Sequence, residues 1–387
     1  MIEISAKLIR KENAAYVTGE KVECFIELNN ISSTLNGTND FEHLAWGSVQ
    51  IHCYKCTNSK TEDDFDYQNV TALGNMNSHG NLITSTKAKI LFCDLKLKIG
   101  ENKKYFFSEF IPRSGPPTYR GYNINYFYKL VIATQRVKSK VNVLAVPFRV
   151  LPVSIIAKRE EYTSVETQEN FKPTNPFLDK NEVTELELSW NHLTNLTARR
   201  MPKFYKITNK RGYVGRFCLF KNDFKLGEDI VGTMDFTECE VRCVQFSVKL
   251  QREELLISNK PKKLENWENQ NVQEHSQNTF SGPGKLTTYT NHHEFCLSMI
   301  QTQMIIPIPL TVTPTFNTKD VDVRWRLHFE FVTSNMIGTE NSNYEDNWIA
   351  PSDIPVETMI WDLPITIWST SPLQIWTPPN KFSLILK

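Results

Sequence analysis

The chain has 387 residues, of which 40% are hydrophobic, and its formal net charge at pH 7 is +1. That length and apolar content can supply two cores of ordinary size, which argues against disorder of the whole chain. A net charge close to zero provides no global field to recruit nucleic acid, so we expect no nucleic-acid partner. No run of residues approaches the roughly eighteen consecutive apolar positions that a membrane-spanning helix needs.

Residues 1–8 alternate between apolar and polar side chains, as a strand does, and lack the apolar core of a signal peptide. The eight cysteines lack the regular spacing of a secreted disulfide framework. Both features favour a cytosolic protein with free thiols. Cys53 and Cys56 form a CxxC sequence, but positions three apart in a strand face opposite sides of the sheet. Buried thiols are therefore favoured over a metal site, and we expect no cofactor.

Residues 1–156 are predicted to form a first β-sandwich. Apolar residues alternate with polar ones over 22–28 and 126–132, which indicates strands that present one face to a core. The polar stretches 30–43 and 57–87 lack the apolar content to pack, and they are predicted to be long loops.

Residues 157–202 are predicted to be a linker that contains a helix over 179–200. Apolar residues recur there every three or four positions, acidic residues lie near the start, and Arg199 and Arg200 lie at the end. An amphipathic helix packed against its own domains is the favoured interpretation. A helix donated to a partner is the alternative.

Residues 203–372 are predicted to form a second β-sandwich. Alternation over 323–331 indicates a further half-buried strand, and the stretches 258–293 and 335–353 are predicted to be polar loops. Residues 373–387 form an apolar tail interrupted by proline, and a tail of this kind often docks as an edge strand.

Three short blocks recur in the same order about two hundred residues apart. Residues 16–22 (Tyr-Val-Thr-Gly-Glu-Lys-Val) correspond to residues 224–230 (Phe-Lys-Leu-Gly-Glu-Asp-Ile). The other two pairs are 117–119 with 314–316 and 146–150 with 363–367. Because the three pairs keep the same order, they indicate tandem domains of one fold.

Several stretches resemble known proteins. Residues 106–112, 115–121 and 126–130 are similar to the strand, the proline-aromatic turn and the tyrosine-rich strand of arrestin-fold N-domains. Four further stretches resemble the reduced-growth-phenotype proteins more closely, and they are 89–95, 226–233, 325–334 and 361–365. This match runs from residue 1 to about residue 372. It implies an all-β fold of two tandem arrestin-like, immunoglobulin-like β-sandwiches.

Members of that family are the smaller subunit of a two-subunit guanine-nucleotide exchange factor for the Rab-six type GTPase. The resemblance implies an obligate larger subunit that contains a propeller. It also implies a cytosolic protein that associates peripherally with the Golgi membrane in retrograde endosome-to-Golgi traffic. The sequence contains no Gly-x-Ser-x-Gly, His-Glu-x-x-His or Gly-Lys-Ser/Thr motif. We therefore expect a non-enzymatic subunit without catalytic residues.

Pro116, Pro117, Thr118 and Tyr119 form a PPxY sequence, which is the ligand of WW domains. It supports a rival function, an arrestin-like trafficking or ubiquitin-ligase adaptor that recruits its ligase through this site. Two predicted strands flank the sequence, however, and the second repeat has a counterpart at 314–316. The favoured interpretation is structural, with prolines where the chain changes sheet and an aromatic ring that plugs the sandwich.

One basic stretch without acidic residues is a candidate contact surface with membrane or partner, and it contains Arg199, Arg200, Lys203, Lys206, Lys210 and Arg211. A solvated face is the ordinary interpretation of such a stretch. The functional alternative is contact with anionic lipid or an acidic partner, in which each cation contributes up to about 1 kcal/mol near a charged membrane.

Overall fold

The computed structural model describes residues 1–10, 14–32, 41–57, 80–153, 185–257, 284–297, 299–334, 355–375 and 382–386. Strands dominate these residues, which confirms the predicted all-β class. None of the helices in the described ranges is long and apolar enough to span a bilayer.

The first ten strands build the first sandwich. Strands β1 to β10 are Ile2–Leu8, Ala15–Val17, Lys21–Asn30, Phe41–Thr57, Asn81–Ser85, Lys89–Lys98, Asn102–Phe110, Tyr119–Arg120, Ile124–Gln135 and Val141–Leu151. Sheet A has the order β21-β1-β3-β7, where β21 is Phe382–Leu386 from the other end of the chain. Sheet B has the order β2-β10-β9-β4-β5, with β6 on β4 and β8 on β9. Side chains of both sheets, such as Cys24 and Leu130, share one buried core.

The second sandwich repeats this plan. Strands β11 to β20 are Lys203–Asn209, Gly212–Leu219, Asp223–Lys225, Asp229–Asp235, Arg242–Leu256, Lys285–Phe295, Gln301–Pro307, Phe316–Asn317, Val321–Ser334 and Val356–Trp368. Sheet C has the order β11-β12-β14-β17, and sheet D has the order β13-β20-β19-β15-β16, with β18 on β19. Ile230 of sheet C and Phe329 of sheet D lie in a common core.

Burial follows the alternation that the sequence predicts. Along β3 the side chains Val22, Cys24, Ile26 and Leu28 are buried, while the intervening positions are exposed or half-buried. Strand β19 shows the same pattern around Leu327. Because successive side chains of a strand point to opposite faces, one face of each strand enters the core and the other faces outward.

The repeated openings have the same backbone geometry in the two halves. Strand β2 pairs in parallel with β10, and β13 pairs in parallel with β20. Gly19 and Gly227 have φ angles of 82° and 81°, a left-handed region that favours glycine. The side chains of Glu20 and Glu228 each accept a hydrogen bond from a backbone N–H three residues earlier. The two blocks therefore match in structure as well as in sequence.

Three of the predicted loops overlap strands. The prediction of a loop over 30–43 is wrong at its ends, because Asn30 belongs to β3 and residues 41–43 belong to β4, while 33–40 lie outside the described residues. The prediction of a loop over 57–87 is wrong for β5, and the prediction for 258–293 is wrong for 285–293, which belong to β16. Strands β5 and β16 are edge strands that bury little, so their sequences lack the alternating apolar pattern of a half-buried strand. Their β-branched threonines fit a pleated edge nevertheless. Residues 58–79, 258–283 and 335–354 lie outside the described residues.

The predicted helix is confirmed over α1, Glu185–Ala198, and residues 179–184 lie outside the described residues. The prediction is wrong for Arg199 and Arg200, which follow the helix. Pro202 explains the end, because a proline ring clashes with the carbonyl four residues earlier. Leu193 is buried, and Trp190 packs against the second core, as expected for a helix bound to its own domain.

The apolar tail docks as the edge-strand interpretation predicts. Strand β21 pairs antiparallel with β1, and Leu386 enters the first core. The tail is therefore tied to the first sandwich although it follows the second one. The domain boundaries at residues 156, 202 and 372 stay predictions, and residues 154–184 and 376–381 are not described.

Candidate functional site

The aromatic residues of the repeated proline-aromatic turns meet between the two sandwiches. Tyr119 is 1% exposed, and its ring lies 5.1 Å from the ring of Phe316 at the equivalent position of the second repeat. Four further apolar residues complete a small buried cluster, namely Ile124, Tyr126, Val321 and Val323. The prediction that Tyr119 plugs one sandwich is thus wrong in one respect, because the ring seals the junction between two.

A buried carboxylate of the second sandwich binds the first. Glu254 on β15 is 2% exposed. It accepts hydrogen bonds from the Tyr119 hydroxyl at 2.9 Å and from the backbone N–H groups of Tyr122 at 2.6 Å and Asn123 at 2.8 Å. Three donors from one turn satisfy one carboxylate, as a buried acid requires.

A guanidinium of the second sandwich lies over the Tyr119 ring as well. The Arg252 guanidinium lies 5.0 Å from the ring centre of Tyr119 and 5.4 Å from that of Tyr289. Burial, the largest influence, raises the pKa of the Tyr119 hydroxyl, so it remains a neutral donor to Glu254. The carboxylate and the guanidinium therefore approach the same ring from the second sandwich.

A second polar contact crosses the junction at Asp320. Its carboxylate lies 2.6 Å from the Lys55 ammonium and accepts a 3.0 Å hydrogen bond from the Tyr126 hydroxyl. Burial alone would raise the pKa of Asp320, but the hydrogen bonds from Lys55 and Tyr126 outweigh it and hold that pKa below its ordinary value.

Arg149 makes a third polar contact across the junction. Its guanidinium donates to the backbone carbonyls of Leu310, Thr311 and Val312, at 3.2, 3.2 and 2.8 Å. Burial lowers the pKa of Arg149, yet an arginine stays charged in proteins. Ala15, Val17 and Leu151 of the first sandwich also belong to the core cluster of the second. Apolar, charged and hydrogen-bonded contacts therefore hold the two sandwiches together.

The junction bears directly on the PPxY interpretation. A WW domain binds an extended, accessible segment, whereas Tyr119 is buried and its hydroxyl is occupied by Glu254. Thr118 is fixed as well, since its backbone N–H donates to Val150 at 2.7 Å. Residues 116–119 are therefore unable to serve as a WW ligand in this conformation.

The basic stretch lies at one edge of sheet C. Arg199 and Arg200 are exposed between α1 and β11, Lys203 and Lys206 lie on β11, and Lys210 and Arg211 lie in the hairpin before β12. Arg211 is 3.4 Å from Glu357, and the Lys206 ammonium is 5.2 Å from the ring centre of Tyr213. The six cations thus share one edge, and among the described residues only Arg211 has a carboxylate partner.

No catalytic arrangement is found in the described residues. His328 is hydrogen-bonded on the sheet, with Nδ1 2.7 Å from Asp362 and Nε2 3.2 Å from Glu330, as expected for a structural histidine. Burial raises the pKa of the Cys53 thiol to about 11, which suppresses the thiolate that a metal ligand needs. Within the described ranges no three His, Cys, Asp or Glu side chains converge in a geometry that could hold a metal ion.

Sequence reasoning missed Glu254 and Arg149 as junction residues. Glu254 follows Glu253 in a strand and resembles any charged strand position. Its three donors lie more than 130 residues away in the sequence. The paired proline-aromatic turns were the available signal, because a feature present in both halves of a repeat can mark the surface where the halves meet.

Comparison with known proteins gives consistent results. A family model described as Rgp1 matches residues 2–166 and 154–334. The human protein named RAB6A-GEF complex partner protein 2 is 36% identical over 396 residues, which covers 96% of this chain and 96% of the relative. The bovine protein of the same name is 36% identical over 389 residues, covering 94% and 93%. This chain therefore belongs to the Rgp1 family.

Proposed function

We propose that this chain is the non-catalytic, arrestin-like subunit of a heterodimeric guanine-nucleotide exchange factor that activates a Golgi Rab GTPase. The observation that carries the proposal is the similarity to two proteins named as partners in a RAB6A exchange-factor complex, over nearly the full length of both chains. A similarity of that extent includes both sandwiches and the junction. A role that requires the whole fold is therefore favoured over one that uses a single motif.

The partner of this chain is a larger, propeller-containing subunit, and the two together bind a Rab-six type GTPase. The protein is cytosolic and reaches the Golgi membrane peripherally, in retrograde traffic from endosomes. Exposed edge strands in each sandwich support a role in binding, because unpaired backbone groups and outward side chains are available along them. Strands β7, β11 and β17 lie at such edges.

Exchange of this kind needs no nucleophile. Nucleotide leaves faster when a partner binds preferentially to the GTPase conformation whose switch loops no longer hold magnesium and phosphate. The free energy for that conformational shift is a difference between two binding free energies. A rigid binding surface is the contribution required of this chain, and the junction around Tyr119 and Glu254 supports that requirement.

The test is a reconstitution with fluorescent nucleotide loaded on the GTPase. We expect this chain alone to release nucleotide at the rate of the GTPase by itself and the assembled pair to accelerate release strongly. Full activity from this chain alone would refute the non-catalytic role. Failure of the chain to copurify with a larger subunit would refute the heterodimer.

The rival adaptor function is tested separately with a synthetic peptide of residues 112–124 and the folded chain. We expect a WW domain to bind the peptide and to ignore the folded chain, because Tyr119 is buried in the fold. If the WW domain bound the peptide and the folded chain with equal affinity, the result would support the adaptor function. A chain unfolded in urea serves as the control for accessibility of the segment.

A further inference from the structure

Two groups of exposed apolar side chains lie on the outward faces of sheets A and C, and they differ in charge. We call the first the aromatic patch, which consists of Phe25, Phe106 and Phe110, exposed by 45, 55 and 61%. Three lysines around it have carboxylate partners, in the pairs Lys21–Glu23 at 3.3 Å, Lys104–Glu27 at 2.9 Å and Lys89–Glu109 at 2.8 Å. Exposed Lys7, opposite Phe25 on β1, has no ion pair among the described residues, so most but not all of the positive charge around the aromatic patch is compensated.

We call the second group the basic-apolar segment, which consists of residues 199–204 (Arg-Arg-Met-Pro-Lys-Phe). Met201 is 54% exposed and Phe204 is 64% exposed. Arg199, Arg200 and Lys203 are exposed too, and among the described residues none of the three has a carboxylate within ion-pair distance. Uncompensated cations and exposed apolar side chains thus alternate within six residues.

The segment is held outward by the elements on either side. Helix α1 ends at Ala198 and β11 begins at Lys203, so the segment connects them at the surface. Phe204 and Lys206 share the face of β11 that points away from the core residues Tyr205 and Ile207. The Arg216 guanidinium lies 5.5 Å over the Phe204 ring, but Asp235 at 2.8 Å neutralises that cation.

The difference in charge separates the partners that suit the two surfaces. Protein interfaces are enriched in aromatic side chains and depleted of lysine at their centres, which matches the aromatic patch. An anionic bilayer attracts unpaired cations and accepts apolar side chains at the boundary between headgroups and acyl chains. The basic-apolar segment has both features, and the compensated cations Arg211 and Arg216 lie outside it.

We propose that residues 199–204 bind the surface of an anionic phospholipid bilayer. Arg199, Arg200 and Lys203 contact headgroup phosphates, and Met201 and Phe204 enter the interface beside them. This inference rests on the proposed function, because an exchange factor for a Golgi GTPase works at a membrane. Among the described residues five of the six cations of the basic stretch lack a carboxylate partner, and the proposal selects the three that adjoin Met201 and Phe204 in the sequence. It adds those two apolar residues, which a count of charges does not reveal.

The expected effect follows from the number of cations. One Lys or Arg near an anionic surface strengthens partitioning by about fivefold, so three of them contribute on the order of 100-fold. Met201 and Phe204 add a contribution that does not depend on salt, since the transfer of apolar surface is not electrostatic. Charge and insertion can therefore be separated by experiment.

The experiment uses the chain assembled with its larger subunit and vesicles of phosphatidylcholine, with or without phosphatidylserine. The test variant is R199E/R200E/K203E. The matched control is K21E/K89E/K104E, which makes the same charge change around the aromatic patch on residues that are about half exposed. Because each change reverses a charge, we expect the test variant to lose at least on the order of 100-fold in binding to anionic vesicles and the control to lose only a few-fold.

A second variant, M201S/F204S, tests insertion. We expect weaker binding to anionic vesicles with the wild-type dependence on salt retained, whereas the charge variant loses that dependence. Equal losses in the charge variant and its control would overturn the proposal, since binding would then follow net charge. Unchanged binding in M201S/F204S would overturn the insertion.

Nucleotide release from soluble GTPase without vesicles separates this inference from the proposed function. We expect R199E/R200E/K203E to keep the wild-type rate there. A loss of release in solution, or dissociation of the two subunits, would identify residues 199–204 as a protein interface and overturn the lipid assignment. An inactive wild-type pair would count against the proposed function and leave the result with vesicles standing.

Discussion

Replacement of Glu254 by alanine should open the junction between the sandwiches. The carboxylate accepts three hydrogen bonds from the turn at 119–123, and the Tyr119 hydroxyl is buried when it donates. A buried donor that loses its acceptor costs about 1–3 kcal/mol, and the two half-buried N–H groups add about 1 kcal/mol each. Arg252 would also keep its charge without the neighbouring carboxylate. We expect a total loss of about 3–5 kcal/mol.

Glu254→Gln tests how much of the stability depends on the charge of the side chain, because glutamine has nearly the same shape as glutamate. It keeps one acceptor oxygen but turns an amide N–H₂ toward the remaining donors, so we expect a loss of about 1–2 kcal/mol. Tyr119→Phe removes only the hydroxyl and should cost about 1 kcal/mol. Because Tyr119 and Glu254 share one hydrogen bond, the two changes should be less than additive in a double-mutant cycle.

The assay combines unfolding in guanidinium chloride with amide hydrogen exchange. The N–H groups of Tyr122 and Asn123 donate directly to Glu254, so a local loss near 3 kcal/mol should accelerate their exchange by on the order of 100-fold. Glu330→Ala is the matched control, because this carboxylate pairs with Lys249 and is about one-third exposed. We expect it to cost less than about 1 kcal/mol. A smaller effect from Glu254→Ala than from Glu330→Ala would refute the junction argument.

Three further predictions concern the turns, the pH dependence and the thiols. Gly227→Ala should destabilise the fold by about 2 kcal/mol, which is more than the cost of Gly100→Ala. Both glycines have a positive φ, but a Cβ at Gly227 would lie 2.8 Å from Leu310, whereas a Cβ at Gly100 would meet nothing within 4 Å. Equal shifts in melting temperature would contradict this prediction. The pKa of Asp320 is lowered in the folded chain, so its contribution to stability is present at neutral pH and should be lost as the pH falls below the ordinary aspartate pKa of 3.8. Asp320→Asn should remove this part of the pH dependence when unfolding is followed in an acid titration. Maleimide at pH 7 should label exposed Cys93 before buried Cys53, as peptide mass mapping would show.

The strand pattern and the repeat could be predicted because both depend on local chemistry. Alternation over 126–132 reports which face of a strand enters a core, wherever the partner strand lies. The glycine of each opening block reports a positive φ that few other residues adopt, and Gly19 and Gly227 both confirm it. These signals are carried by neighbouring residues, so a single sequence is sufficient to read them.

The edge strands and the junction could not be predicted for a physical reason. Residues 285–295 are polar because an edge strand buries little on either face, and polarity is the signal for a loop. Glu254 depends on donors that the fold brings from the other sandwich, and no local pattern records that approach. The PPxY sequence gives the opposite case, in which a local pattern indicates a binding site that the fold removes. Residues 116–119 match a ligand motif, but Tyr119 packs against Phe316 of the other sandwich.

Under the proposed function the junction matters, because differential binding to a GTPase requires surfaces at a fixed distance. The aromatic patch belongs to the first sandwich, and the basic-apolar segment is attached to the second. If the sandwiches moved independently, each contact would lose orientational freedom separately, and less binding free energy would remain to shift the GTPase toward its open conformation. The apolar cluster at Tyr119, the carboxylate of Glu254 and the guanidinium of Arg149 prevent that loss. A variant with an open junction should therefore retain binding to each partner while nucleotide release slows, and unimpaired release would show that rigidity is dispensable.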